Sequence, residues 1–196
     1  MNTKAVARDV VVFGGSEGAL QALTRVLGGL PLDFRAALLA VVTPRAQRLN
    51  ETQLDEVKSR TPIVLAFAEH GDKLTPGHLL VCPSWGHMTI DARGFVALLP
   101  AEKAVKPDAP VDALFMSAAQ AFGPRVVAVV LSGGSGDGVA GMQAVSAAGG
   151  VGIVQSPVDA IDPRTPVRTV ADDHPDRVSM LDAIAPLLIK LTGTPA

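Results

Sequence analysis

A chain of 196 residues with 48% hydrophobic and 18% charged residues carries ample material for a core and too much of it for disorder. Seventeen Lys and Arg against 19 Asp and Glu leave a net charge of −2, without the basic excess of a nucleic-acid surface. The one cysteine, Cys82, excludes an internal disulfide and fits a reducing compartment, and no apolar run is long enough to insert into a membrane or to serve as a signal-peptide core. A cytoplasmic protein is expected.

Residues 10–13, Val-Val-Val-Phe, form a buried strand. Leu20, Leu23, Val26, Leu27 and Leu30 recur at helical spacing and predict a helix over 20–30, closed by Gly28-Gly29 and Pro31. Residues 37–42 are a second buried strand, stopped by Pro44. A polar helix is expected over 50–59 and a short strand over 63–66. Thr75-Pro76-Gly77 is a turn, 79–82 a strand, and 88–90 with 95–98 a hairpin across 91–94. After a proline loop at 107–110, residues 111–122 form a helix with Leu114, Phe115, Ala118 and Ala119 on one face. Residues 126–131 are the strongest strand, 138–148 a helix closed by Gly149-Gly150, 151–154 a strand and 179–191 a terminal helix. Continuous apolar strands alternating with helices predict an α/β fold: a three-layer, mostly parallel, doubly wound sheet with an antiparallel hairpin near 79–98 as an insertion or edge. No repeat or low-complexity linker divides the chain, so one domain over 1–196 is expected.

Ligands of such sheets bind beyond the carboxyl ends of the strands. Three turns fall there: 14–18, 43–45 and 132–138. In the first, Gly14-x-Ser16-x-Gly18 is a nucleophile-elbow pattern, with Gly15, Glu17 and Gly18 shaping the turn around the serine. A helix N-cap is the plainer role for Ser16. In the third turn Asp137 has two readings: the acid that orients a histidine, or a cap on the helix that follows. The same turn holds Gly136-x-Gly138-x-x-Gly141 with Asp159 downstream, a dinucleotide fingerprint, although 156–166 is broken by prolines. A hydrolase would want its base in the second turn. That turn reads Val41-Val42-Thr43-Pro44-Arg45 and has none, the four histidines being His70, His78, His87 and His174. His174 follows Asp137, which gives the order Ser16, Asp137, His174 seen in α/β-hydrolases. Cys82 reads as a small buried residue, Trp85 as a cleft rim or a loop anchor, and Asp112 with Phe115 as cap and core. No cofactor and no metal site is expected.

The stretches VVVFGGSEGALQAL, LPLDFRAALLAVV, GDKLTPGHLLVCPSWGHMTI, PVDALFMSAAQAFG and VVAVVLSGGSGDGVAGMQAVSAAGGVGIVQ, with the segment around Pro166, resemble in order the catalytic domain of the CheB family, the chemotaxis protein-glutamate methylesterases. The resemblance runs from about Val10 to Ile189. It implies a parallel α/β sheet with a Ser-His-Asp triad at its carboxyl edge, hydrolysis of methyl esters on receptor glutamates and, in some members, deamidation of glutamines. Ser16 would be the nucleophile and Asp137 the acid. His87 matches a histidine that the family places near the site but outside the triad. A chemoreceptor or another signalling protein is the implied partner.

The chain departs from that pattern where the chemistry is concentrated. Pro44 stands at the position of the triad histidine. The elbow reads Ser16-Glu17-Gly18-Ala19 in place of Ser-Thr-Gly-Gly, and Gly134 replaces a methionine. The receiver domain that normally precedes the esterase is not expected. Three functions follow: a methylesterase-like signalling domain with impaired or lost turnover; an active serine esterase or deamidase using Ser16, Asp137 and a relocated histidine, with His87 as surrogate; and a nucleotide-binding module using Gly136, Gly138 and Gly141.

Overall fold

Two apolar β-branched runs, β1 (Val10–Gly15) and β7 (Val126–Val130), lie side by side and parallel, every residue buried. The other elements are α1 (Ala19–Gly28), β2 (Ala37–Val42), α2 (Glu51–Lys58), β3 (Val64–Phe67), β4 (His78–Val81), β5 (Gly86–Ile90), β6 (Val96–Pro100), α3 (Pro110–Phe122), α4 (Val139–Ala147), β8 (Val151–Gln155), α5 (Arg164–Asp173), β9 (Arg177–Ser179) and α6 (Leu181–Thr192). They come from a computed structural model, which describes residues 7–43 and 49–195.

Seven parallel strands form one sheet in the order β3-β4-β2-β1-β7-β8-β9, and β5 pairs with β6 in a separate antiparallel hairpin. From β1 the chain winds outward through β2 to one edge, then returns to β1 and winds through β7 to the other. The reversal falls between β1 and β7, where open α/β sheets carry their ligand crevice.

Alternate residues of each central strand face opposite layers, as a strand's period of two requires. Val11 and Phe13 pack with Leu23, Val26 and Leu27 of α1 and with Ile184 and Leu188 of α6. Val10 and Val12 pack with Leu114 and Phe115 of α3, Met142 of α4 and Met88 and Ile90 of β5. The doubly wound three-layer fold is therefore as expected. Asn50 opens α2 with a reciprocal capping box: its side chain accepts from Gln53 N at 3.0 Å, and Gln53 Oε1 accepts from Asn50 N at 3.2 Å. Among the described residues no helix is long and apolar enough to cross a membrane.

Two expectations change. The strand after Thr75-Pro76-Gly77 belongs to the parallel sheet, where β4 lies between β3 and β2, so among the described residues the antiparallel unit is β5 and β6, extended by one bridge between Lys73 and Phe95. The proline-broken stretch after β8 also contains an element that periodicity missed. Pro166 sits in the first turn of α5, where a missing N–H costs nothing, so the helix forms through it. The edge strand β9 has three residues, two of them exposed, too few for an alternating pattern.

Helices α3 and α4 touch closely because Gly141 has no side chain. A Cβ there would lie 2.6 Å from Phe115 Cβ. Alanine gains at most about 1 kcal/mol of propensity over glycine, the value for a helix interior, and Gly141 lies in the first turn of α4; forcing apart two packed helices costs about 1–3 kcal/mol or more. Gly141→Ala is expected to lower the denaturant midpoint; a raised midpoint would mean the contact is slack.

Candidate functional site

Ser16 sits where β1 turns into α1, with Gly18 in the left-handed region at φ 79° as the N-cap residue. Its backbone N donates to Ser132 O at 3.0 Å, which joins the turn after β1 to the turn after β7. Its hydroxyl accepts from Gly134 N at 3.0 Å, and Ser16 is only 1% exposed. The hydroxyl therefore does not cap α1, the plainer role read from sequence. It reaches across to the neighbouring glycine turn.

The turn after β7 is held by residues that stand outside the motifs read from sequence. The buried Gln155, last residue of β8, accepts from Ser132 N at 2.8 Å through Oε1. Ser132 Oγ donates to Glu17 O at 2.6 Å and accepts from Asp162 N at 2.9 Å. A glutamine ending an otherwise apolar run was the one available signal, because a buried amide must find partners.

Asp137 is 7% exposed, and its two carboxylate oxygens accept from Val111 N at 2.8 Å and Asp112 N at 2.9 Å. It caps a helix, but α3 rather than the α4 that follows it. Asp112 returns the arrangement: its Oδ1 accepts from Gly138 N at 3.0 Å and Gly141 N at 2.7 Å, at the start of α4. Two helix N-termini thus exchange carboxylates, each satisfying donors the other helix leaves open. Burial pushes the Asp137 carboxyl up to about 6, against the pull of the two N–H groups; Asp112 adds to the rise and His87 opposes it.

The same exchange bears on the dinucleotide pattern. The N–H groups that a diphosphate would need at the start of α4 already bind Asp112, and Gly136 N binds Thr165 Oγ1 at 2.9 Å. Asp159 accepts from Leu181 N at 2.6 Å and so caps α6.

The buried His87 lies on β5 with Nε2 3.0 Å from Pro107 O. A carbonyl only accepts, so Nε2 carries the proton. His70 Nδ1 accepts from Leu98 N at 3.3 Å, His78 Nδ1 lies 3.0 Å from Pro76 O, and His174 closes α5 in the left-handed conformation. Among the described residues no imidazole hydrogen-bonds to the Ser16 hydroxyl. The turn after β2 begins beside the site, with Thr43 N donating to Gly15 O at 3.0 Å; Pro44 lies outside the described residues.

Glu17 is half-buried, and its charge reaches Arg164, whose guanidinium is held above its ordinary pKa first by Asp162. Trp85 is 50% exposed. Cys82 is buried, its thiol pushed up to about 12 by burial, and it donates to Gly86 O at 3.2 Å, as suits a packing residue.

The CheB methylesterase family model matches residues 11–188. The chain is 32% identical over 190 residues to a protein-glutamate methylesterase/protein-glutamine glutaminase of Koribacter versatilis, covering 95% of this chain and 52% of that protein. It is 37% identical over 159 residues to a protein of the same description from Myxococcus xanthus, covering 78% and 44%. The chain thus spans about half the length of the curated relatives it matches. The crystal structure of the Thermotoga maritima CheB methylesterase catalytic domain superposes with a TM-score of 0.83 at 24% identity, over 95% of this chain and 100% of that one. The sheet order, the paired turns at its reversal and these likenesses agree: the chain belongs to the CheB methylesterase family.

Proposed function

We propose that this chain is a bacterial, cytoplasmic chemotaxis or signal-transduction domain that works by binding, with little or no turnover of methyl-glutamate esters or glutamine amides. Its partner would be a chemoreceptor or another signalling protein. The observation that carries the reading is the partner of the Ser16 hydroxyl, a backbone N–H of Gly134. A serine hydroxyl needs an adjacent base to attack an ester. The triad-histidine position is Pro44, which has no titratable group. Loss of such a base costs on the order of 10⁴ to 10⁶ in turnover. Glu17 is a poor substitute, because its charge opposes an oxyanion beside Ser16.

A second reading keeps the enzyme active through Ser16, Asp137 and a relocated His87. One feature favours it: the buried His87 opposes the rise of the Asp137 carboxyl. Release of methanol from a methylated receptor separates the two. Wild type and Ser16→Ala are expected to be indistinguishable, and Pro44→His to gain turnover. Turnover in wild type that vanishes in both Ser16→Ala and His87→Ala would overturn the binding reading and establish the second.

A further inference from the structure

The space beside Gly134 is already filled. A Cβ on Gly134 would overlap the Arg164 guanidinium and the Asp162 carboxylate. Those two side chains form an ion pair, with Arg164 Nε donating to Asp162 Oδ1 at 2.9 Å and a second bond from Nη2 to Oδ2. The backbone beneath them is fixed to the site. Gly133 N donates to Asp162 O at 2.9 Å, Asp162 N donates to Ser132 Oγ at 2.9 Å, and Thr165 N donates to Gly133 O at 2.7 Å. Ile161 closes the other flank, since a Cβ on Gly18 would lie 2.6 Å from Ile161 Cβ. Ser16, whose hydroxyl accepts from Gly134 N beneath this pair, is 1% exposed.

We propose that the Arg164 side chain, latched by Asp162 across Gly134, is a shutter that closes the Ser16 pocket. The asymmetry of the pair supports a moving part on a fixed base. The Asp162 side chain is 13% exposed and its backbone is bound to both sides of the turn, whereas the Arg164 side chain is 65% exposed. A long side chain with that freedom leaves Asp162 without the pinned backbone moving, since the charge of Glu17 acts on it more weakly than Asp162 does. Acidic groups on a partner that competed with Asp162 for the guanidinium would open the pocket. The shutter rests on the reading that Ser16 marks the ligand site, but not on whether the site turns over.

The test uses a thiol in place of the hydroxyl. In a Ser16→Cys chain, the rate of iodoacetamide modification at residue 16 is followed by peptide mass spectrometry. Cys82, buried with its thiol pushed up to about 12, is the internal reference for global opening. Arg164→Ala and Asp162→Asn are each expected to accelerate modification at residue 16 relative to Cys82 by roughly threefold or more. The two substitutions move the thiolate in opposite directions: loss of the cation disfavours it and loss of the anion favours it. Acceleration in both therefore reads access and not thiol acidity. A rate at residue 16 that is unchanged in both variants, opposite in sign between them, or raised only in step with Cys82 overturns the shutter. The labelling is independent of ester hydrolysis, so its outcome and that of the methanol assay are separable.

Discussion

Between about pH 4 and pH 7 the wild-type chain is expected to lose about 3 kcal/mol of stability relative to Asp137→Asn. Burial raises the Asp137 carboxyl in the folded chain to about 6, above its ordinary value. A group whose folded pKa is raised binds its proton more tightly when folded. Its stabilising contribution is complete below the unfolded pKa, near 4, and is lost as pH rises through about 6. Asparagine does not titrate. It offers one acceptor oxygen where the ionised Asp137 offers two, so relative to the ionised form either Val111 N or Asp112 N loses its partner, at about 1–3 kcal/mol whatever the pH. The gap in melting temperature between the two proteins should therefore be widest near pH 4 and narrow by roughly 6–12 °C at pH 7. Parallel melting curves across that range would show that solvent reaches the carboxyl and that burial does not set its proton affinity.

The strands and most helices were legible because burial on both faces of a parallel sheet leaves long apolar runs. The residues of β2 stand out at 37–42 in the sequence just as they pair in the sheet. What escaped was decided by tertiary contacts. Helix α5 was obscured by Pro166, which a first turn tolerates. Strand β9 exists because β8 offers it an edge, with Ile153 opposite Arg177. In the site, Ser16 and Asp137 were conspicuous by type and position, but their partners were not. Nothing local says that Asp137 caps a helix 26 residues earlier, or that Asp112 answers it 26 residues later. The Asp162–Arg164 pair was invisible for a related reason: an arginine two residues after an aspartate is commonplace, and only the missing side chain at Gly134 makes room for it.

Gly133→Ala is expected to destabilise the chain by about 3 kcal/mol, lowering the melting temperature by roughly 6–12 °C. Its Cβ would fall 2.7 Å from Ser16 Oγ and 2.8 Å from Ser16 N. A flexible side-chain end would yield at little cost, but Ser16 N is backbone and is tied to Ser132 O at 3.0 Å. The two turns must therefore separate. Separation stretches the bond from Gly134 N to the Ser16 hydroxyl and the bonds that join Gly133 to Asp162 and Thr165. Each such bond is worth about 1 kcal/mol net, and overpacking adds a further 1–3 kcal/mol. The same substitution at Gly134 meets only the ends of Arg164 and Asp162. It should displace the ion pair, lower the melting temperature by less than Gly133→Ala does, and accelerate modification of a thiol at residue 16. Two neighbouring glycines thus separate the structural join of the site from its cover, and equal losses of stability at the two positions would show that the join and the cover are one unit.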